Sequence, residues 1–198
     1  GAADRIRNVA AIEVRGLSLL TKNEIVSGDC IRPGPGGITV NLSRLERHLE
    51  SLRLISRYGI SENDGRLLID ISEKRIAALL AVRKGNRIIP FEVDEDYLPL
   101  AAGRIYSADN PLVILEGEGR ITEEVKDVLR RMAFVKTHDP ELYGEMTGLT
   151  LTDRGRISAR MRNRRTEFVA TGTDVFFRML KAAVVYCDLR GGYPGTVL

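Results

Sequence analysis

Tryptophan is absent from this 198-residue chain, and only five Phe and six Tyr are present. So few rings argue against base stacking and sugar stacking as modes of recognition. Histidine occurs twice. His48 falls on a polar-flanked helix face and His138 in an expected loop before Asp139-Pro140, and neither belongs to a nucleophile–base motif. Cysteine also occurs twice, at Cys30 and Cys187, with no paired zinc spacing and no Cys-x-x-Cys. Both read as small buried apolar side chains, and a bridge between them is not expected. There is no Gly-x-Ser-x-Gly elbow and no His-Glu-x-x-His helix. No run reaches the roughly 18 apolar residues a membrane helix needs, and no signal peptide is visible.

Three stretches resemble sites but lack their context. Pro33-Gly-Pro-Gly-Gly37 is followed by no Gly-Lys-Ser/Thr and reads as a connector. Gly117-Glu-Gly119 lacks the third glycine and the strand-to-helix setting of a dinucleotide loop. Asp94-Glu-Asp96 lacks the other oxygen ligands of a calcium loop and reads as a solvated acidic turn. No catalytic, cofactor-binding or metal-binding residue is assigned on these grounds. A glycosidase-type carboxylate pair assembles only in three dimensions, but the missing Trp weighs against a sugar hydrolase. A binding role is favoured over an enzyme.

What is present suits a globular chain of one large or two small domains. Hydrophobic residues make up 43%, and 30 basic against 27 acidic residues leave a net charge of +3. That balance gives a mixed surface and does not call for nucleic acid. Val9–Val14 is β-branched and apolar, and Gly16 follows it, as in a strand and turn. Thr21-Lys-Asn-Glu24 and Ser43-Arg-Leu-Glu46 each have the form of a capping box, giving two helix starts. Leu45, Leu49 and Leu52 recur at helical spacing. Strands are expected near Leu54–Ile60 and Leu67–Ile71, with Glu73 just beyond.

The second half reads as β-rich, with one or two helices. Strands are expected at Ile76–Val82, at Asn86–Val93, where Pro90 favours an edge, and at Pro111–Leu115. Thr122 caps a helix carrying Val125, Val128, Leu129 and Met132 on one face. Further strands follow at Met146–Leu151, Arg156–Met161 and Glu167–Ala170, the first two joined by a hairpin at Asp153-Arg-Gly155. A short helix capped at Thr173-Asp174 runs through Lys181. Ala183–Leu189 and Tyr193–Leu198 are expected to be strands at the end of the chain. The fold class is α+β, with domains at 1–75 and 76–198 and strand pairing continuous across the boundary.

Within Arg156–Met161 a strand would turn Arg156, Ser158, Arg160 and, just beyond, Arg162 to one side. Ile157, Ala159 and Met161 would face the other. Such a cationic stripe discourages edge aggregation, or docks an acidic partner or anionic polymer. Interleaved aromatics and a known nucleic-acid module are both missing.

These elements, in this order, resemble the extracytoplasmic part of the bacterial cell-division proteins FtsQ and DivIB. Ile12-Glu-Val-Arg-Gly16 with Thr21-Lys-Asn-Glu-Ile25 is similar to the opening of that family's POTRA domain, a β-α-α-β-β module. Asn41–Leu49 is similar to its second helix, and Leu67–Glu73 to the strand ending in its characteristic Glu. Phe91-Glu-Val-Asp94, Pro111–Gly117 and Tyr186-Cys-Asp-Leu-Arg190 are similar to successive motifs of its β domain.

The resemblance implies a non-enzymatic divisome scaffold acting in septation. It would be single-pass in the inner membrane, anchored by a helix upstream of this chain, with this region in the periplasm or extracytoplasmic space. It implies binding of the FtsB–FtsL coiled-coil pair by strand addition at the C-terminal edge, and of other division proteins at the POTRA domain. The matched partner-binding positions are Asp188, Leu189 and Arg190, followed by Gly191, Gly192, Tyr193, Thr196 and Val197. Arg156, Arg160 and Arg162 form a second candidate face. The alternative is a POTRA-containing component of outer-membrane assembly or secretion.

Overall fold

The computed structural model describes residues 5–101, 103–107, 109–152, 154–191 and 196–197. The fold is α+β, with mixed and antiparallel sheets and five helices among the described residues. Two compact units divide the chain, Gly1–Arg75 and Ile76–Leu198.

The first unit holds two three-stranded sheets. Instead of one strand over Val9–Val14, the chain makes β1 (Ile6–Val9) and β2 (Ala11–Arg15), broken at Ala10. Ala10 leaves both ladders and donates its N–H to Gly65 O. The four-residue helix α1 (Lys22–Ile25) starts at the expected Thr21 capping box. Pro33–Gly37 is not a connector. It is the tip of a hairpin between β3 (Ile31–Gly34) and β4 (Gly37–Asn41), where Gly34 pairs with Gly37 across Pro35-Gly36. Helix α2 (Leu42–Ser51) is capped by Asn41, whose Oδ1 accepts from Arg44 N at 3.0 Å. Ser43 therefore lies inside the helix and is not its cap. Leu45 and Leu49 are buried from this helix.

Strands β5 (Ile55–Asn63) and β6 (Arg66–Glu73) form an antiparallel hairpin. Asp64 and Gly65 both take positive φ at its turn, which matches the strand twist. β1, β4 and β3 make one sheet in that order; β2, β6 and β5 make the other, with β2 parallel to β6. Gly16 carries φ +81°, and a Cβ there would stand 1.9 Å from Ile71 O on β6. Only glycine lets the chain leave β2 so close to its neighbour.

The second unit is one seven-stranded sheet packed on helices. Its strands are β7 (Ile76–Lys84), β8 (Arg87–Asp94), β9 (Leu112–Leu115), β10 (Met146–Leu151), β11 (Arg156–Met161), β12 (Glu167–Thr171) and β13 (Thr196–Val197). The spatial order is β13-β12-β11-β10-β9-β7-β8. β8 is an edge strand, which accommodates Pro90 without losing a ladder donor. β6 and β7 belong to different sheets, so strand pairing does not continue across the unit boundary.

The helices are α3 (Glu123–His138), α4 (Pro140–Glu145) and α5 (Thr173–Leu189), three rather than one or two. His138 is the last residue of α3, not a loop residue. The largest correction lies in α5. Ala183–Leu189 is not a strand but the second half of a 17-residue helix. Phe176, Leu180, Ala183, Val184 and Cys187 recur at helical spacing and are buried in the core with Leu80, Val113, Leu149, Ile157 and Phe168 of the sheet. That shared burial, set by tertiary packing, selects helix over the local strand preference. Cys30 and Cys187 are both buried and free. No helix among the described residues is long and apolar enough to cross a membrane.

Candidate docking surface

β12 is paired on both sides, antiparallel to β11 and parallel to β13. Thr196 and Val197 stand opposite Glu167 and Phe168. β13 closes the sheet on this side, and no further strand among the described residues pairs with its outer margin. A margin of this kind presents main-chain donors and acceptors that another polypeptide can extend.

The matched positions before β13 form the end of α5. Arg164, in the connection from β11 to β12, grips Asp188 with two hydrogen bonds, Nε to Oδ1 at 2.9 Å and Nη2 to Oδ2 at 2.7 Å. Its Nη1 reaches Glu145 Oε2 at 2.7 Å. The hydrogen bonds from Arg164 hold the Asp188 carboxyl below the usual range. The Arg164 guanidinium is raised in turn, by Asp188 first and against the effect of burial. Leu189 is 81% exposed. Arg190 caps the helix and lies over the Tyr186 ring, 5.6 Å from its centroid. Gly191 takes φ +77° and donates its N–H to Asp188 O, ending the helix with a left-handed residue. Gly192 and Tyr193 lie outside the described residues. Of the eight matched positions, the six that are described are split between a helix end, at Asp188–Gly191, and a short edge strand, Thr196–Val197.

The sheet face opposite the helices is polar on its β10–β12 side. Arg156 and Arg160 are exposed on β11 with Ser158 between them, and Ile157, Ala159 and Met161 are buried behind, as alternation requires. Arg162 lies past the strand end, where its N–H donates to Glu145 O. Arg83, Glu116 and Glu167 join Arg156 and Arg160 around a shallow open cleft of about 250 Å³. Arg160 and Glu167 are direct cross-strand neighbours. Sequence reading missed Arg83, Glu116 and Glu167 because each comes from a different segment. Only the sheet register brings them together.

Two carboxylates of β8, Glu92 and Asp94, are buried. Glu92 is fully buried, and its oxygens accept from Tyr106 N at 2.6 Å and Ser107 N at 2.8 Å. Asp94 is buried and accepts from Asp96 N and Leu98 N, fastening the turn from within, while Glu95 and Asp96 are exposed as a solvated acidic turn requires. His48 Nε2 lies 2.6 Å from Glu24 O and joins α2 to α1. His138 stacks on Phe134. Among the described residues no group of three or more His, Cys, Asp or Glu side chains gathers where a metal could sit.

No protein-family profile matches this chain, and no curated protein matches it.

Proposed function

We propose that the chain is a non-enzymatic docking scaffold of the bacterial division machinery, an extracytoplasmic module of the FtsQ/DivIB kind. It captures a partner by strand addition along β13. One observation carries this reading: the last strand sits at the margin of the seven-stranded sheet, paired on one side only among the described residues. Main-chain hydrogen bonds supply affinity in that mode, and the surrounding side chains supply specificity.

Two further features support the reading. In the first unit, β2, α1, α2, β5 and β6 follow the β-α-α-β-β order of a POTRA module, with the β3–β4 hairpin inserted between the helices. Glu73, at the position of the family's Glu, accepts from the N–H groups of Ser18, Leu19 and Leu20. The partner expected at β13 is the FtsB–FtsL coiled-coil pair, and other division proteins are expected at the first unit.

Calorimetric titration with that coiled-coil pair tests the reading. Val197→Pro removes a main-chain donor from β13, and Gly192→Pro and Tyr193→Glu change matched positions that precede it in the sequence. Each is expected to weaken binding at least tenfold, about 1.4 kcal/mol, with the unfolding midpoint unchanged. Equal affinity for the wild-type chain and all three variants would remove the site.

A further inference from the structure

The outward side of α5 carries an exposed apolar seam, with the Arg190 guanidinium over the Tyr186 ring near its end. Val175, Met179, Tyr186 and Leu189 are 45%, 49%, 48% and 81% exposed, and Ala182 between them is exposed as well. Their spacing is four, three, four and three residues, the repeat of a coiled-coil contact line. At about 1.5 Å per residue the seam is ~21 Å long. Isolated exposed apolar residues need no explanation, but a helical line of five does.

We propose that a second copy of this chain covers the seam, as an antiparallel pair of α5 helices crossing at Ala182. The seam is complementary to itself in that arrangement, where residues equally far before and after Ala182 meet. Val175 meets Leu189, and Met179 packs between Val185 and Tyr186. Ala182, the smallest side chain of the line, falls on the two-fold axis, where close approach needs it. The charges agree with the same symmetry. Asp174 and Arg190 each lie eight residues from Ala182 and face each other at both ends of the pair. Asp174 is bound to Arg131 within its own chain but keeps 63% of its side chain exposed. Arg178 meets Tyr186, whose face attracts a cation. A parallel pair would set Arg178 beside Arg178 and Arg190 beside Arg190. The contact is isologous and closes at two copies. A single helix pair is at the small end of interface sizes, so association is weak and concentration-dependent.

Sedimentation equilibrium of the whole chain over a wide concentration range, combined with cysteine cross-linking, tests this. The apparent mass is expected to rise toward that of a dimer with concentration. Ala182→Glu and Leu189→Lys should each return it to the monomer while the far-ultraviolet circular dichroism stays unchanged. Under mild oxidation Ala182→Cys should form a disulfide-linked dimer at least tenfold faster than Arg178→Cys, because only position 182 meets itself across the axis. A monomer at every concentration would overturn the proposal, as would association that survives both substitutions. Equal cross-linking rates at positions 182 and 178 would do the same. A monomer that binds an amphipathic helical peptide through the seam would also overturn it and give the surface to another protein.

Discussion

Glu73 satisfies three backbone donors that no secondary structure reaches. Its oxygens lie 3.1, 2.8 and 2.9 Å from the N–H groups of Ser18, Leu19 and Leu20, and so tie the chain before α1 to the end of β6. Bonds to a charged acceptor are the stronger kind. Glu73→Ala is expected to destabilise the chain by about 1–3 kcal/mol, because the donors lose their acceptor in a part-buried place; urea denaturation measures it. Asp188 acts at the surface through Arg164. Its folded pKa is depressed, chiefly by hydrogen bonding from Arg164, so its contribution is present above the unfolded value near ~3.9 and is lost as pH falls through the folded value. The urea midpoints of the wild-type chain and Asp188→Asn should therefore differ by a constant amount between about pH 5 and 8 and converge on acidification below ~3.9. A gap that persists in acid would contradict the Arg164 pairing.

At the scale of elements, the strands whose sides differ in polarity were legible, and those decided by distant partners were not. Arg156–Met161 alternates charged and apolar residues, and the structure turns those faces as the alternation requires. Ala183–Leu189 has polar residues only at its end. A short apolar run does not distinguish strand from buried helix by periodicity, and its Val, Tyr and Cys content suggested strand. The earlier apolar positions Phe176 and Leu180, and the stop at Gly191-Gly192, carried the signal for one long helix. The missing Gly-Lys-Ser/Thr argues against a phosphate loop at Pro33–Gly37 but does not tell a connector from a hairpin tip, and Pro35-Gly36 is a two-residue turn between pairing strands. For the docking surface, sequence pointed to the end of the chain and to Arg156 and Arg160. The neighbours of those arginines depend on sheet register and could not be read locally. Val185→Pro tests the helix. It breaks the main-chain ladder in the middle of the last turns and should destabilise the chain by ~3 kcal/mol or more, with loss of helical circular dichroism. A strand at this place would show no loss of helical signal.

For the whole molecule, the second unit carries the outer margin of β13 at one end of its sheet and a polar sheet face around Arg156 and Arg160. The helices cover the opposite face of the sheet and hold it together through a shared core. The account places partner capture at the margin, where backbone is extended, and leaves the arginines to steer an acidic partner toward it. Amide hydrogen exchange of the whole chain, with and without the FtsB–FtsL coiled-coil pair, separates these surfaces most directly. The account predicts that exchange at Thr196 and Val197 slows strongly on binding, while the opposite edge strand, Arg87–Asp94, keeps its free rate. Unchanged exchange at Thr196 and Val197 in a saturated complex would contradict it.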